Sequence, residues 1–190
     1  MSGTMSAIRR SVLRLRRDRR GVGAVEFALI APVLIVLYIG SLEISVAMSV
    51  NKKIARAAST VADLVTQQTT VNKDFLLSMV DVAKSVITPF KADGLKVRVI
   101  GIKIDGAGKP KVAWSWDETN KPVYAVGSDI SIPAELVLND SFLVRTDVAM
   151  DYQMLMILPA LKDVQIKTLK MSKTYHLRQR IADDVSCSNC

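Results

Sequence analysis

The chain offers little from which to build catalysis. His176 is its only histidine. A Ser-His-Asp relay or a histidine-rich metal centre would have to rest on that one imidazole. It lies among Lys173, Tyr175 and Arg178 and reads as a surface or sheet-packing residue. Cys187 and Cys190 are the two cysteines, in C-x-x-C spacing. In a cytosolic βαβ protein that spacing indicates redox chemistry. It supplies only two of the four ligands a structural zinc needs. In an oxidising compartment the pair is expected to form a small local disulfide, or bonds to another chain. Asp117/Glu118 and Asp183/Asp184 are adjacent, and neighbours in a strand point to opposite faces, so they make poor acid/base pairs. Gly106-Ala107-Gly108-Lys109 lacks the G-x-x-x-x-G-K-[ST] pattern of a phosphate loop and reads as a hairpin turn. Trp114 and Trp116 form either a ligand-stacking platform or, as we expect, the packing of a sheet onto a helix. These residues predict no enzyme, no cofactor and no metal site.

Glu26 is the most informative side chain. It stands near the start of Val22–Leu42, in which the only other residues outside the apolar set are Gly23, Pro32, Gly40 and Ser41. About 20 apolar residues suffice for a helix to cross a bilayer. A carboxylate brought near the hydrocarbon layer is costly and usually has a partner. One reading places Glu26 at the headgroups, paired with Arg19 or Arg20. The sharper reading follows from spacing: cleavage after Gly21 would make Val22 a new N-terminus. The new amine would be cationic at neutral pH, with Glu26 four residues on to compensate it in its own chain or a neighbour.

The charge distribution orients this segment. Arg9, Arg10, Arg14, Arg16, Arg17, Arg19 and Arg20 face a single Asp18 in residues 1–21, so most of the net charge of +8 sits there. The pI of 9.6 is therefore a property of the leader, which weakens a nucleic-acid reading, since that needs a basic face on the folded part. The positive-inside rule places the N-terminus in the cytoplasm and the residues after the helix outside. A cleaved secretory signal is the competing reading, with Ser45-Val46-Ala47 as its small-x-small site. The run Phe27–Leu42 is at or beyond the usual length of a signal core, and Glu26 sits where that core would begin.

The string Arg19-Arg20-Gly21-Val22-Gly23-Ala24-Val25-Glu26-Phe27-Ala28-Leu29-Ile30-Ala31-Pro32-Val33-Leu34 resembles the N-terminus of TadE-like and TadF-like proteins. These are pseudopilins, or minor pilins, of the Tad (Flp, tight-adherence) pilus machinery of bacteria. The shared pattern is a basic leader, a Gly, a Glu five places on followed by an aromatic, then an apolar helix with an early Pro. The resemblance implies that an inner-membrane prepilin peptidase cuts between Gly21 and Val22. It makes Glu26-Phe27 the Glu-aromatic pair and Arg16, Arg17, Arg19 and Arg20 part of the leader. Phe27 and the large C-terminal part fit the TadE branch better than the short major pilin, which usually has Tyr after the Glu. Implied partners are other pilin-like subunits and the inner-membrane pilus platform, with surface adhesion and biofilm formation as the outcome. The C-terminal half resembles TadE-like endings more loosely, with Tyr152, Pro159 and Arg178 as the corresponding residues.

The elements that position these residues follow from periodicity. After Ser41 the helix turns amphipathic, with Ile54, Ala58, Val61 and Val65 stepping by four, three and four. One helix is expected from about Val22 to about Gln68, its second half lying on a soluble domain. A second is expected from Lys73 to Thr88, capped by Asn72 or Thr70 and ended by Pro89. Phe75, Met79, Val82 and Val86 form its stripe, with Leu76, Val80, Ala83 and Ile87 adjacent. Strands are expected at Lys96–Asp105, with a bulge at Gly101, and at Lys111–Glu118, where Val112, Trp114 and Trp116 share a face. Val144–Tyr152 alternates most clearly, and Val164–Leu177 is a last long strand, with Leu158-Pro159-Ala160 as a loop. Val123–Val126 and Ile130–Ile132 are short or irregular. No internal repeat or low-complexity segment is evident.

The fold class is therefore α+β: a long pilin-like helix, a second helix, then an antiparallel sheet of about four strands. Residues 1–21 form a basic leader, 22–50 a transmembrane helix and 51–190 an exported domain. The expected function is a non-enzymatic pilus assembly component in the bacterial inner membrane. Two alternatives remain. One is a cleaved, soluble periplasmic domain that binds a ligand through Trp114 and Trp116, with Met48 as its mature N-terminus. The other is an uncleaved single-pass envelope protein beginning at Met1 or Met5.

Overall fold

The computed structural model describes residues 21–154 and 168–190. The leader arginines, Pro159 and the start of the expected last strand, 164–167, lie outside the described residues. The chain forms two compact units, one ending at Glu43 and one spanning Ile44–Cys190. Helix α1, Val22–Thr66, supplies residues to both. Then follow β1 (Thr70–Val71), α2 (Lys73–Ile87), β2 (Lys96–Ile104), β3 (Pro110–Asp117), β4 (Ser141–Gln153), β5 (Thr168–Arg178) and β6 (Ser186–Cys187). The fold is α+β as expected, and the main sheet is antiparallel in the order β3-β2-β4-β5.

Within the second unit the part of α1 from Val50 onward is an amphipathic core helix. Val50, Ile54, Ala57, Ala58, Val61, Ala62 and Val65 are buried, recurring at helical spacing on one face. Helix α2 begins where Asn72 Oδ1 accepts a bond from the Phe75 N–H at 2.8 Å, satisfying one of the orphan donors of the first turn. Its far end is closed by a residue of α1: Lys53 Nζ donates to the carbonyls of Val86 and Thr88, where a cation is favoured by the helix dipole. Of the stripes expected on α2, Leu76, Val80, Ala83 and Ile87 face the core with Met79, while Phe75, Val82 and Val86 sit half-buried at its border.

The helices cover one face of the sheet. Val97, Val99, Trp114, Trp116, Phe142, Val144, Val148, Met150 and Tyr152 meet α1 and α2 there. The alternation expected in Val144–Tyr152 holds, whereas nearer its start β4 is buried on both faces, at Phe142, Leu143 and Val144. The opposite face carries a second, smaller core of Ile100, Ile102, Ile104, Val112, Ile130 and Leu143, covered by Tyr124, Ile132 and Leu136.

That second core revises the expectation for the β2–β3 hairpin. The bulge was expected on β2, at Gly101. The register does shift between Gly101 and Ile102, yet β2 pairs with β4 without interruption. Gly101 pairs with Trp114 and Ile102 with Val112, so the extra residue is Ala113 of β3. Val112 therefore faces the small core, away from Trp114 and Trp116. The run Ile100-Gly101-Ile102 is not a change of phase in β2 but a strand apolar on both faces. Glycine at position 101 has its own reason. A Cβ there would lie 2.5 Å from Trp114 Cε2 and Nε1 and 2.8 Å from Phe142 Cζ.

The C-terminal tail was not anticipated as a structural element. Strand β6 pairs in parallel with β1, and Trp114 Nε1 donates to the Val185 carbonyl at 2.6 Å. Gln179 Nε2 donates to the Gln68 carbonyl. Cys187 and Cys190 are joined by a disulfide. Inside that closed loop, Asn189 Oδ1 accepts the Lys73 N–H at 2.8 Å, at the first residue of α2. The tail thus ties the corner between the two helices to the sheet.

Candidate functional site

The first residues of α1 carry the chemistry singled out above. Gly21 is exposed, and a Cβ placed on it would meet nothing within 4 Å. Val22 opens the helix. Glu26 follows four residues later, hence on the same face one turn on. Glu26 is exposed and has no ion-pair partner among the described residues. Phe27 is 69 % exposed, and Leu29, Ile30, Val33, Leu34, Ile35 and Leu37 are each more than half exposed. The most apolar stretch has a mean hydropathy of 2.4, and none of it is buried. This decides between two readings of an apolar helix. A soluble core helix buries its apolar stripe, whereas here every side is apolar and open. At 1.5 Å per residue, residues 22–43 cover about 33 Å, close to the hydrocarbon thickness of a bilayer.

The residues weighed for catalysis serve the fold. The Asp117 carboxylate accepts bonds from the N–H groups of Thr119 and Lys121 and from the Thr119 hydroxyl. Desolvation would raise its pKa, but these bonds and the nearby Arg98 hold it below the usual aspartate value. Neighbouring Glu118 accepts the Val97 N–H instead. In the hairpin turn, Asp105 Oδ1 takes the N–H groups of Ala107 and Lys109, which a phosphate-binding loop would need for its ligand. Trp114 and Trp116 are 5 % and 0 % exposed, and Trp116 Nε1 donates to Asn120 Oδ1. They are core residues, and the ligand platform is excluded by burial. No group of three His, Cys, Asp or Glu side chains that could hold a metal ion occurs among the described residues.

His176 lies opposite Arg145 across β4 and β5, and its buried Nε2 has no hydrogen-bond partner. Desolvation, then the Arg145 cation, pull its pKa below 6.5, against a smaller opposing effect of Asp147. Above the unfolded-state value near 6.5 the imidazole is neutral in both states and the fold pays nothing for it. As pH falls from there through the lowered folded value, the unfolded chain takes up the proton first, so stability is lost. Thermal melting of the detergent-solubilised chain is expected to show a lower Tm at pH 5.5 than at pH 7.5, with His176→Gln flattening that difference.

These features define a class: an α+β domain continuous with an apolar helix exposed on all sides. Residues 21–63 match the family described as TadE-like protein, so this part of the chain is similar to TadE-like proteins. The match takes in Gly21, Glu26, Phe27 and nearly all of α1, from its exposed apolar half to its buried half; β1 to β6 and α2 lie beyond it. No curated protein and no solved structure matches the chain.

Proposed function

We propose that this is a minor pilin or pseudopilin of a Tad (Flp) pilus or related secretion machinery, acting by helix packing and protein–protein contacts. The observation that carries the reading is the coincidence of the TadE-like match with a helix whose apolar half is wholly exposed. In this reading residues 1–21 are a leader removed by a prepilin peptidase. The membrane span lies within 22–50, and residues 51–190 form the periplasmic domain. The N-terminus before cleavage is cytoplasmic. The partners are other pilin-like subunits and the inner-membrane platform, contacted first through the open face of α1. The Cys187–Cys190 disulfide suits an oxidising compartment. Burial of both tryptophans removes the support for a soluble ligand-binding domain built on them.

N-terminal sequencing of the protein from membranes tests the reading. Val22 is expected at the mature N-terminus. Met48 would indicate a secretory signal, and Met1 or Met5 an uncleaved anchor. Gly21→Leu is expected to abolish processing, because the peptidase must approach the backbone at that bond and a branched side chain obstructs it. An unchanged mature mass for this variant, in cells carrying the peptidase, would overturn the assignment of the cleavage site.

A further inference from the structure

Residues 185–190 lie along the turn that joins α1 to α2. The Ser186 N–H donates to the Thr69 carbonyl at 3.1 Å and the Ser188 N–H to the Val71 carbonyl at 3.0 Å. The hydroxyls of Thr70 and Ser186 share a hydrogen bond at 2.9 Å. Helix α2 is capped from two directions, since its first N–H groups have no carbonyl partner inside the helix. Asn72, beside them in the chain, takes the Phe75 N–H. Asn189, 116 residues from Lys73, takes the Lys73 N–H.

Ser186, Ser188 and Asn189 are exposed, so water competes for their bonds and each bond gains little alone. A chain terminus held only in this way frays. The Cys187–Cys190 bond removes that freedom. It closes a ring with Ser188 and Asn189 inside it, and both cysteine side chains are partly buried against the main core. The ring, rather than its own exposed contacts, presents Asn189 to α2. A ring this short constrains little of the unfolded chain, so its effect is local. Val185 is held differently. It is 1 % exposed in the main core and its carbonyl accepts Trp114 Nε1, an anchor that does not need the ring.

We propose that the C-terminal C-x-x-C is a redox latch. As the disulfide it holds residues 186–190 on β1 and on the first turn of α2; reduced, it releases them while Val185 and the rest of the domain stay in place. The co-reactant is a dithiol. One of its thiolates attacks a sulfur of the pair, the Cys187–Cys190 bond breaks and a mixed disulfide forms. Its second thiolate then displaces the cysteine still bound. Both cysteines leave as thiols carrying the two protons the dithiol gave up, and the dithiol leaves as a disulfide. Closure is the reverse reaction with a disulfide oxidant. Opening leaves the carbonyls of Thr69 and Val71 and the N–H of Lys73 without their partners in the tail. This inference concerns the C-terminal domain and does not depend on the pilus reading.

The test uses the full chain in detergent micelles, before and after treatment with dithiothreitol. Backbone amide exchange is read by mass spectrometry at residue resolution, and alkylation of an aliquot verifies that both cysteines are reduced. Exchange at Lys73, Ser186 and Ser188 is expected to rise about tenfold, as for the loss of one exposed hydrogen bond each. Strands β2 and β4 should keep their protection, and tryptophan emission should not move, because Trp114 stays bonded to Val185. Oxidised glutathione, added once dithiothreitol is removed, should restore slow exchange. Asn189→Ala in the disulfide form separates the cap from the ring: it should speed exchange at Lys73 and leave Ser186 and Ser188 slow. Unchanged exchange at the three amides after reduction, equal acceleration in β2 and β4, a shift in tryptophan emission, or an Asn189→Ala chain with Lys73 unchanged would each overturn the proposal.

Discussion

Gly101→Val is expected to destabilise the C-terminal domain by about 3 kcal/mol, the upper range for overpacking a fitted core. The position is crowded by ring atoms rather than by flexible chain ends. A Cβ would stand 2.5 Å from Trp114 Cε2 and Nε1 and 2.8 Å from Phe142 Cζ. Neither ring can simply swing aside. Trp114 Nε1 is bonded to the Val185 carbonyl, so moving the indole breaks that bond and loosens the tail that closes the helix corner. Phe142 belongs to β4 and is 4 % exposed. The bulge at Ala113 sets Trp114 directly across from Gly101, and a side chain there would oppose the geometry the bulge creates. Urea unfolding followed by tryptophan fluorescence measures the effect, since Trp114 and Trp116 are the only two tryptophans. Gly23→Ala is the control: its surroundings are empty within 4 Å, and the change should leave the unfolding midpoint within error. A Gly101→Val midpoint equal to that of the parent would refute the packing assignment.

What could be read from the sequence was what periodicity encodes locally. Helix α1 was legible because Ile54, Ala58, Val61 and Val65 keep one face over several turns, and α2 because Asn72 and Pro89 bracket it. Strand β4 was legible because one of its faces is buried and the other polar over most of its length. Strand β2 misled because Ile100, Ile102 and Ile104 serve a second core on its other face. Apolar residues on both faces imitate a phase shift, and the sequence of one strand does not reveal which partner holds the extra residue. The tail was illegible for a different reason. Its pairing with Thr70–Val71 and its bond to Trp114 join residues far apart in the chain, and a two-residue strand has no period to detect. At the N-terminus Gly21, Glu26 and Phe27 lie in one short stretch of sequence, and the roles proposed for them rest on spacing together with the TadE-like resemblance.

Glu26→Gln is expected to leave membrane insertion and processing intact while abolishing pilus function. The substitution keeps the size and hydrogen-bonding reach of the side chain and removes its charge. Insertion becomes slightly easier, since a carboxylate no longer has to be brought near hydrocarbon. The proposed processing at Gly21–Val22, one helical turn away, would need the backbone there to be accessible, which the empty space around Gly21 provides. Assembly is where the charge matters. In the mature protein the Val22 amine would be cationic at neutral pH and would enter a layer of packed apolar helices. Glu26, one turn along the same face and without another ion-pair partner among the described residues, is placed to compensate it in its own chain or in a neighbour. Removing one partner of a buried pair leaves the other charge uncompensated, a penalty of about 3–5 kcal/mol. That corresponds to a drop of more than a hundredfold in the assembled fraction. If Glu26 rested only at the headgroups, its loss would change nothing in assembly, because water would solvate the amine. Complementation of a deletion strain, with mature protein quantified by immunoblot and pili counted by microscopy, separates the two. Normal piliation at normal protein level would reject the pairing role and leave Glu26 an interfacial residue.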